Sequence, residues 1–538
     1  MKPDSSARRT DILLVAGFCA FLFFYGLASF GLIGADEPRY AQIAREMLAR
    51  HDWITPVLGG QPWLEKPPLY YWQAMISYAI FGASDWAARI PSAFDASLLV
   101  IGIYVFFRRF RPGAQLDAAL ITASCAGIVG FSRAASTDMP LAAMFSIGML
   151  AWWAWRETGF RRWLVLFYVA MALGMLAKGP VAPFFAALIV IVYSIVVREL
   201  RWIWKTLWLP GILLFCVIAL PWYVAVQVRN PIFLREFILQ HNLERFSTNL
   251  YHHVEPFWYY IPVALLALIP WTVFVIDAIR EDIGVWWREG HALPLDLEIQ
   301  FTVFAFLWLI IPIIFFSFSQ SKLSGYILPA IPAGPILLAD YIRRHSGSTG
   351  SAAVPRWIAV LHAVVVSAAI VPALLIGYIV LQHRLPSGRP LIASCAVGFV
   401  VAVGIAITLL TPFGIRMLRF ITLIPVVLIV AAVIKLGSVP LDHKLSARPL
   451  AKEILASEPS RLPAAVFAVP RELEYGLGFY LDEAVPRYES GQVPASEHIV
   501  VAPEGWKPDV SRCVGPRRVV FLGHYAPQRV DYFLVGPE

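Results

Sequence analysis

Apolar stretches of about the length a membrane-crossing helix needs recur thirteen times along the chain. They fall at about 11–33, 89–107, 115–132, 139–155, 163–178, 180–197, 207–226, 258–279, 299–318, 325–342, 356–381, 390–411 and 417–437. The fifth and sixth are separated only by Lys178-Gly179-Pro180. With the N-terminus inside, the inner connections carry Lys2, Arg8 and Arg9, then Arg108, Arg109 and Arg111, then Arg156, Arg161 and Arg162. They continue with Arg198, Arg201 and Lys205, Arg280 and Arg288, Arg343, Arg344 and Arg356, and Arg416 and Arg419. That asymmetry is the positive-inside pattern, and an odd number of spans puts the C-terminus outside. No small-x-small cleavage site follows the first apolar stretch, which reads as an uncleaved span.

The outer connections differ from the inner ones. The first, about 34–88, is long and semi-polar, and Tyr40, Ile43, Ala44, Met47 and Leu48 recur in it at helical spacing. This predicts an amphipathic helix on the membrane surface. A second outer loop, about 227–257, carries Arg229, Arg235, Glu236, His241, Glu244, Arg245, His252, His253 and Glu255. From about 440 to 538 the pattern changes to short β-type runs at 464–469, 498–501 and 518–522, after a helical stretch near 447–457. The expected organisation is a membrane part, 1–439, and a small outer α/β domain, 440–538.

Composition sharpens this. Of 538 residues, 59% are hydrophobic and 15% are charged, which excludes an ordinary soluble enzyme, a disordered chain and a disulfide scaffold. The net charge of +8 belongs to the basic inner loops, because the tail holds 11 Lys/Arg against 13 Asp/Glu. No nucleic-acid partner is expected, since no basic run interleaves with a soluble aromatic platform. Four of the five cysteines lie in apolar segments and no pair has CxxC spacing, so they read as small buried hydrophobes.

The remaining charges gather on the outer side: Asp36, Glu37, Arg39, Glu65, Lys66, Asp138, Lys178, His241, Arg245, Lys322 and Tyr326. Charge near a membrane is costly and marks function or snorkelling. Asp36-Glu37 could supply a general base, or Asp36 ahead of Pro38 could simply start a helix. Glu65-Lys66 could bind phosphate or be a solvated pair. Asp138 could be a functional carboxylate or a helix cap. His241 and Arg245 share a helix face, and Arg suits a bidentate phosphate clamp. Lys322 and Tyr326 could equally be interfacial anchors.

The ordered set Asp36-Glu37-Pro38-Arg39-Tyr40, Asp52-Trp53, Glu65-Lys66-Pro67-Pro68 and Tyr71-Trp72 resembles the first periplasmic loop of the bacterial aminoarabinose (4-amino-4-deoxy-L-arabinose) transferase family. That family belongs to the protein mannosyltransferase-like GT-C glycosyltransferases. Ser136-Thr137-Asp138, Ala177-Lys178-Gly179-Pro180, Gln240-His241-Asn242-Leu243-Glu244-Arg245-Phe246, Pro256-Phe257-Trp258-Tyr259-Tyr260 and 321–329 continue the match over most of residues 1–340. The resemblance implies a polytopic α-helical inner-membrane enzyme of GT-C fold. It would be an inverting glycosyltransferase, moving a sugar from a polyprenyl (undecaprenyl) phosphate donor to a periplasmic acceptor such as lipid A or another envelope glycan. By position, Asp36 looks like the catalytic carboxylate and Asp138 like a second important one. Lys66, Arg245 and Tyr326 look like donor-phosphate binders, with Arg39 and Lys178 helping. Glu65 and His241 lie where a metal has been proposed in a relative, and no cofactor is required. After Glu65-Lys66-Pro67, the run Pro68-Leu69-Tyr70-Tyr71-Trp72 looks more like the broader family than the dedicated aminoarabinose enzymes. Two alternatives stay open: a lipid-linked sugar flippase, which would place charges near the midplane and show repeats, and a noncatalytic envelope assembly protein.

Overall fold

A computed structural model of the chain describes residues 5–237, 255–289, 296–346, 354–382, 388–411, 414–457 and 462–537. Each of the thirteen apolar stretches contains helix. By length and apolarity alone, seven of the described helices qualify as spans, or nine if each of two bent pairs crosses once. The bends are 65° between Gln115–Ser124 and Ala126–Ser132, and 110° between Phe257–Ala267 and Thr272–Trp287. The shortfall from thirteen has physical causes. Arg161–Lys178 carries Arg161, Arg162 and Lys178, and Val181–Val196 has 16 residues. Asp138–Thr158 carries Trp152, Trp153, Trp155, Pro140 and Gly148, yet it is buried on nearly every side within the bundle. A helix enclosed by protein has no need of a lipid-matching surface.

Asp138–Thr158 is the axis of the bundle. It packs against Asp85–Phe110, Arg161–Lys178 and the 3-10 segment Ser324–Ala330. Ala142, Ala143, Gly148 and Ala151 let these neighbours approach closely, while Trp152, Trp153, Tyr193, Phe304 and Trp308 fill the interior, with Tyr193 edge to face against Trp152 and Trp153 and Phe304 stacked on Trp152.

The bundle has two chemically distinct ends. At one, Arg111 meets Glu157 at 3.2 Å, Arg343 meets Glu298 at 2.9 Å, Arg344 meets Asp282 at 2.6 Å, and Arg156 meets Gln300. Helix Asp138–Thr158 runs from Asp138 to Arg156 and Glu157, so its two charged ends are about 30 Å apart at 1.5 Å per residue. Asp138 and Lys178 therefore sit at the end opposite the arginine-rich one.

The helix expected on the membrane surface exists, as Asp36–Ala49, but it is not laid on lipid. Tyr40, Ala41, Ile43, Ala44 and Met47 are buried against Tyr70, Tyr71, Ala74, Met75 and Tyr78 of Leu69–Phe81 and against Phe479. Its apolar stripe is satisfied by protein, from both the membrane part and the tail.

The tail forms a four-stranded sheet in the order Ala464–Val466, His498–Pro503, Val530–Val535, Val519–Tyr525. The first pair is parallel and the others antiparallel. The expected strands and the helix Arg448–Ser457 are present, and Val530–Val535 is an addition. The tail is bolted to the membrane part. Tyr480 accepts from the Leu32 amide at 2.7 Å, and Asp442 from the Gly31 amide at 2.8 Å. Arg448 pairs with Asp85 at 2.8 Å, and Arg45 donates to the Phe479 carbonyl at 2.8 Å.

Candidate active site

Three helix ends and two connections converge at the end of the bundle beneath the tail. The start of Asp36–Ala49 contributes Asp36 and Arg39. The segment before Leu69–Phe81 contributes Glu65 and Lys66. The start of Asp138–Thr158 contributes Asp138, the end of Arg161–Lys178 contributes Lys178, and the segment Ser324–Ala330 contributes Gly325 and Tyr326.

The charges form two linked groups. Arg39 meets Asp36 at 2.5 Å and Glu65 at 3.7 Å, and Lys66 meets Glu65 at 3.0 Å. Lys178 pairs with Asp138, which also accepts from the Ser136 hydroxyl at 2.8 Å. The Lys178 ammonium lies 5.1 Å from the centre of the Tyr326 ring, a cation–π contact. Lys66 joins the groups, since it is close enough for its charge to act on Asp138. Lys66 and Arg39 are buried, whereas the Asp36 side chain is 58% exposed. The result is a cationic floor with one accessible carboxylate at its rim.

Local sequence explains why these groups can meet. Gly179 ends its helix at φ +82°, a conformation that favours glycine, and so turns the chain straight after Lys178. Gly325 lets the backbone lie against Asp138, where an added Cβ would stand 2.8 Å from Oδ1.

Arg39 sits in an aromatic box, its guanidinium 5.1 Å from the Tyr40 ring, 5.0 Å from Trp63 and 5.7 Å from Tyr475. Burial works against its charge, but the surrounding groups, Glu65 and Asp36 among them, outweigh that and raise its pKa above the ordinary value. It is a permanent cation. Burial, with Glu65 adding to it, raises the Tyr71 phenol above the usual range, so Tyr71 stays neutral. Its hydroxyl and Arg39 Nε are buried without a hydrogen-bond partner among the described residues.

Not every expected site residue belongs here. Glu37 is buried away from Asp36, bonded to Arg89 at 2.7 Å and to the amides of Ile33 and Ala135. The Asp36-Glu37 pair is therefore split between two tasks. Lys322 donates to the carbonyls of Glu255 and Ser319 and braces the backbone. Asp36 and Asp138 each begin a helix, yet neither supplies the N-cap, a position held by Ala35 and Thr137. His241 and Arg245 lie outside the described residues, as do His252 and His253. Among the described residues no group of three or more His, Cys, Asp or Glu is arranged to hold a metal, and Glu65 is engaged with Arg39 and Lys66. Tyr71, Ser136 and Gly325 lay inside the recognised motifs without an assigned role. Tyr475 and Trp63 carried no signal, because only folding brings them to Arg39.

A family model described as dolichyl-phosphate-mannose-protein mannosyltransferase matches residues 11–235. Undecaprenyl phosphate-alpha-4-amino-4-deoxy-L-arabinose arabinosyl transferase of Pseudomonas aeruginosa (strain UCBPP-PA14) is 32% identical over 336 residues, 61% of this chain and 58% of that protein. The crystal structure of ArnT from Cupriavidus metallidurans bound to undecaprenyl phosphate aligns with a TM-score of 0.73 at 22% identity, covering 98% of this chain and 99% of that one. The chain is similar to these transferases over about three fifths of its length and shares the fold of the Cupriavidus protein. The same-named protein of Edwardsiella ictaluri (strain 93-146) is 30% identical over 326 residues, 59% of this chain and 56% of that one. The chain thus spans little more than half the length of the curated relatives it matches. The structural likeness reaches further than the sequence likeness, since 98% coverage includes the tail. With its apolar helices and this fold, the chain is a multi-pass membrane protein.

Proposed function

We propose that the protein is an inverting, polyprenyl-phosphate-sugar-dependent glycosyltransferase. It moves a sugar from an undecaprenyl phosphate donor to a lipid A or other envelope-glycan acceptor at the periplasmic face of the bacterial inner membrane. The observation that carries this reading is the exposed Asp36 carboxylate held at the rim of a floor of buried cations, Arg39 and Lys66, with Lys178 beside them. The relatives' names and the undecaprenyl phosphate held by the Cupriavidus protein support the same chemistry.

Breaking the glycosidic bond leaves negative charge on a lipid phosphate. Fixed cations in a water-poor site stabilise that charge most effectively, because nothing has to reorganise as it develops. Arg39, Lys66 and Lys178 have this role, joined by Tyr326 and, from the sequence, Arg245. Asp138 orients Lys178 through their ion pair. Asp36 takes the proton from an acceptor hydroxyl as the new bond forms. One displacement inverts the anomeric centre, and no covalent nucleophile is required. Positive-inside arginines at the opposite end of the bundle support the outer location. No metal enters these steps.

The test is transfer in proteoliposomes from an undecaprenyl-phosphate-linked sugar, with products read by mass spectrometry. Asp36→Asn is expected to lower turnover by about 10²–10⁴ while donor binding persists. Lys66→Ala is expected to weaken donor binding. Normal turnover by Asp36→Asn removes the base role, and unchanged donor affinity in Lys66→Ala removes the phosphate assignment.

A further inference from the structure

Tyr475 faces two ways. One side of it meets the Arg39 guanidinium in the candidate site. It also lines a separate open cleft of about 500 Å³ on the surface of the tail, together with Pro470, Arg471, Glu474, Arg487 and Ser490. The cavity is therefore one side chain away from Asp36 and Arg39. It lies outside the membrane helices, on the tail side of Arg39.

Its lining has a definite chemistry. Glu474 and Arg487 form an ion pair at 2.5 Å, so neither presents a bare charge, yet both keep hydrogen-bonding capacity toward the cavity. Arg487 is fixed further by the Val469 carbonyl at 3.1 Å and by Glu489. Arg471 adds forked donors at the start of helix Arg471–Leu481, and Ser490 adds a hydroxyl that can donate or accept. The positive charges of Arg471 and Arg487 are opposed by Glu474 and Glu489, so a bare polyanion is a poor match. A ring carrying many hydroxyls is a good one. It needs alternating donors and acceptors held rigidly, and a partly apolar face for its C–H groups, which the Tyr475 ring provides.

We infer that this cavity is the subsite for the saccharide part of the acceptor, with Tyr475 as the shared wall that aligns the acceptor hydroxyl with Asp36. The inference rests on the glycosyltransferase reading for its role in turnover, while saccharide binding itself can be measured separately.

Two measurements on the full-length protein decide it. The first is saturation-transfer NMR in detergent micelles with an N-acetylglucosamine disaccharide as probe. Wild type and Asp36→Asn are expected to bind it, and Arg471→Ala and Tyr475→Ala to bind about tenfold more weakly, as loss of one aromatic contact or charge-assisted hydrogen bond implies. The second is transfer kinetics, in which Arg471→Ala raises the acceptor KM with the donor KM unchanged. Arg471 is exposed, so its replacement leaves folding intact. Equal probe binding by wild type and both variants overturns the assignment, and so does absence of binding by wild type. Binding lost in the variants, in a protein that transfers no sugar, overturns the glycosyltransferase reading and leaves the saccharide subsite standing.

Discussion

Asp36 and Glu37 are adjacent in sequence and opposite in circumstance. Asp36 stands half in solvent with Arg39, free to meet a substrate. Glu37 is sealed inside, where its two oxygens hold Arg89 and two backbone amides that tie the first outer turn to helix Asp85–Phe110. Arg89 is only 1% exposed and bonds the carbonyls of Leu27, Phe30 and Gly31 as well. Removing one member of a buried pair strands the other. Glu37→Ala should therefore cost about 3–5 kcal/mol, seen as a large drop in melting temperature in detergent. Asp36→Asn should leave the melting temperature nearly unchanged. A Glu37→Ala protein as stable as wild type would contradict this division of labour.

Two elements carry predictions of their own. The segment Ser324–Ala330 reaches the site because Gly325 has no side chain facing Asp138. Gly325→Ala should displace the Asp138 carboxylate, disturb its pair with Lys178 and raise the donor KM about tenfold, an effect of about 1.4 kcal/mol. Gly130→Ala is the control, since nothing lies within 4 Å of its added Cβ, and it should leave KM unaltered. In the tail, strand His498–Pro503 begins with a fully buried histidine, its Nδ1 bonded to the Ser496 carbonyl and its Nε2 accepting from the Tyr488 hydroxyl. Burial lowers its pKa, and the charge of Arg517 adds to this. At pH above about 6.5 both folded and unfolded forms are neutral, and nothing is lost. As pH falls below that, the unfolded chain takes a proton that the fold refuses, so stability declines. Amide exchange in 498–503 should therefore speed up as pH drops from 7 to 5, after correction for intrinsic rates, and His498→Gln should flatten that dependence.

At the scale of the whole molecule, the tail packs onto the end of the bundle that holds the candidate site. Helix Arg471–Leu481 packs on helix Asp36–Ala49 and brings Tyr475 over Arg39. Arg448 is the main bolt, joined to Asp85 and Asp442 and to the Ala28 carbonyl. Arg448→Ala should weaken docking by about 2 kcal/mol, the worth of a hydrogen bond to a charged group. The expected signs are faster amide exchange across 471–481 and reduced transfer, with the membrane helices unaffected. Unchanged exchange in 471–481 would mean that other contacts carry the docking.

Much of this protein was legible in its sequence. The hydrophobic period gave every apolar helix, because a segment in lipid must satisfy its own backbone and bury or solvate its whole surface. Arginine bias pointed to the two ends, and motif order pointed to Asp36, Arg39, Glu65, Lys66, Asp138, Lys178 and Tyr326, which the fold brings to one end of the bundle. The number of spans was less legible, since a helix enclosed by protein, such as Asp138–Thr158, is free to be less apolar than one facing lipid. The amphipathic stripe of Asp36–Ala49 announced a buried face, but lipid and protein satisfy such a stripe equally well from the sequence side. Only the tertiary structure decided that protein covers it, that Glu37 turns inward while Asp36 stays out, and that Tyr475 reaches Arg39. Those outcomes depend on contacts between segments distant along the chain, and no local pattern encodes which distant surface a side chain will meet.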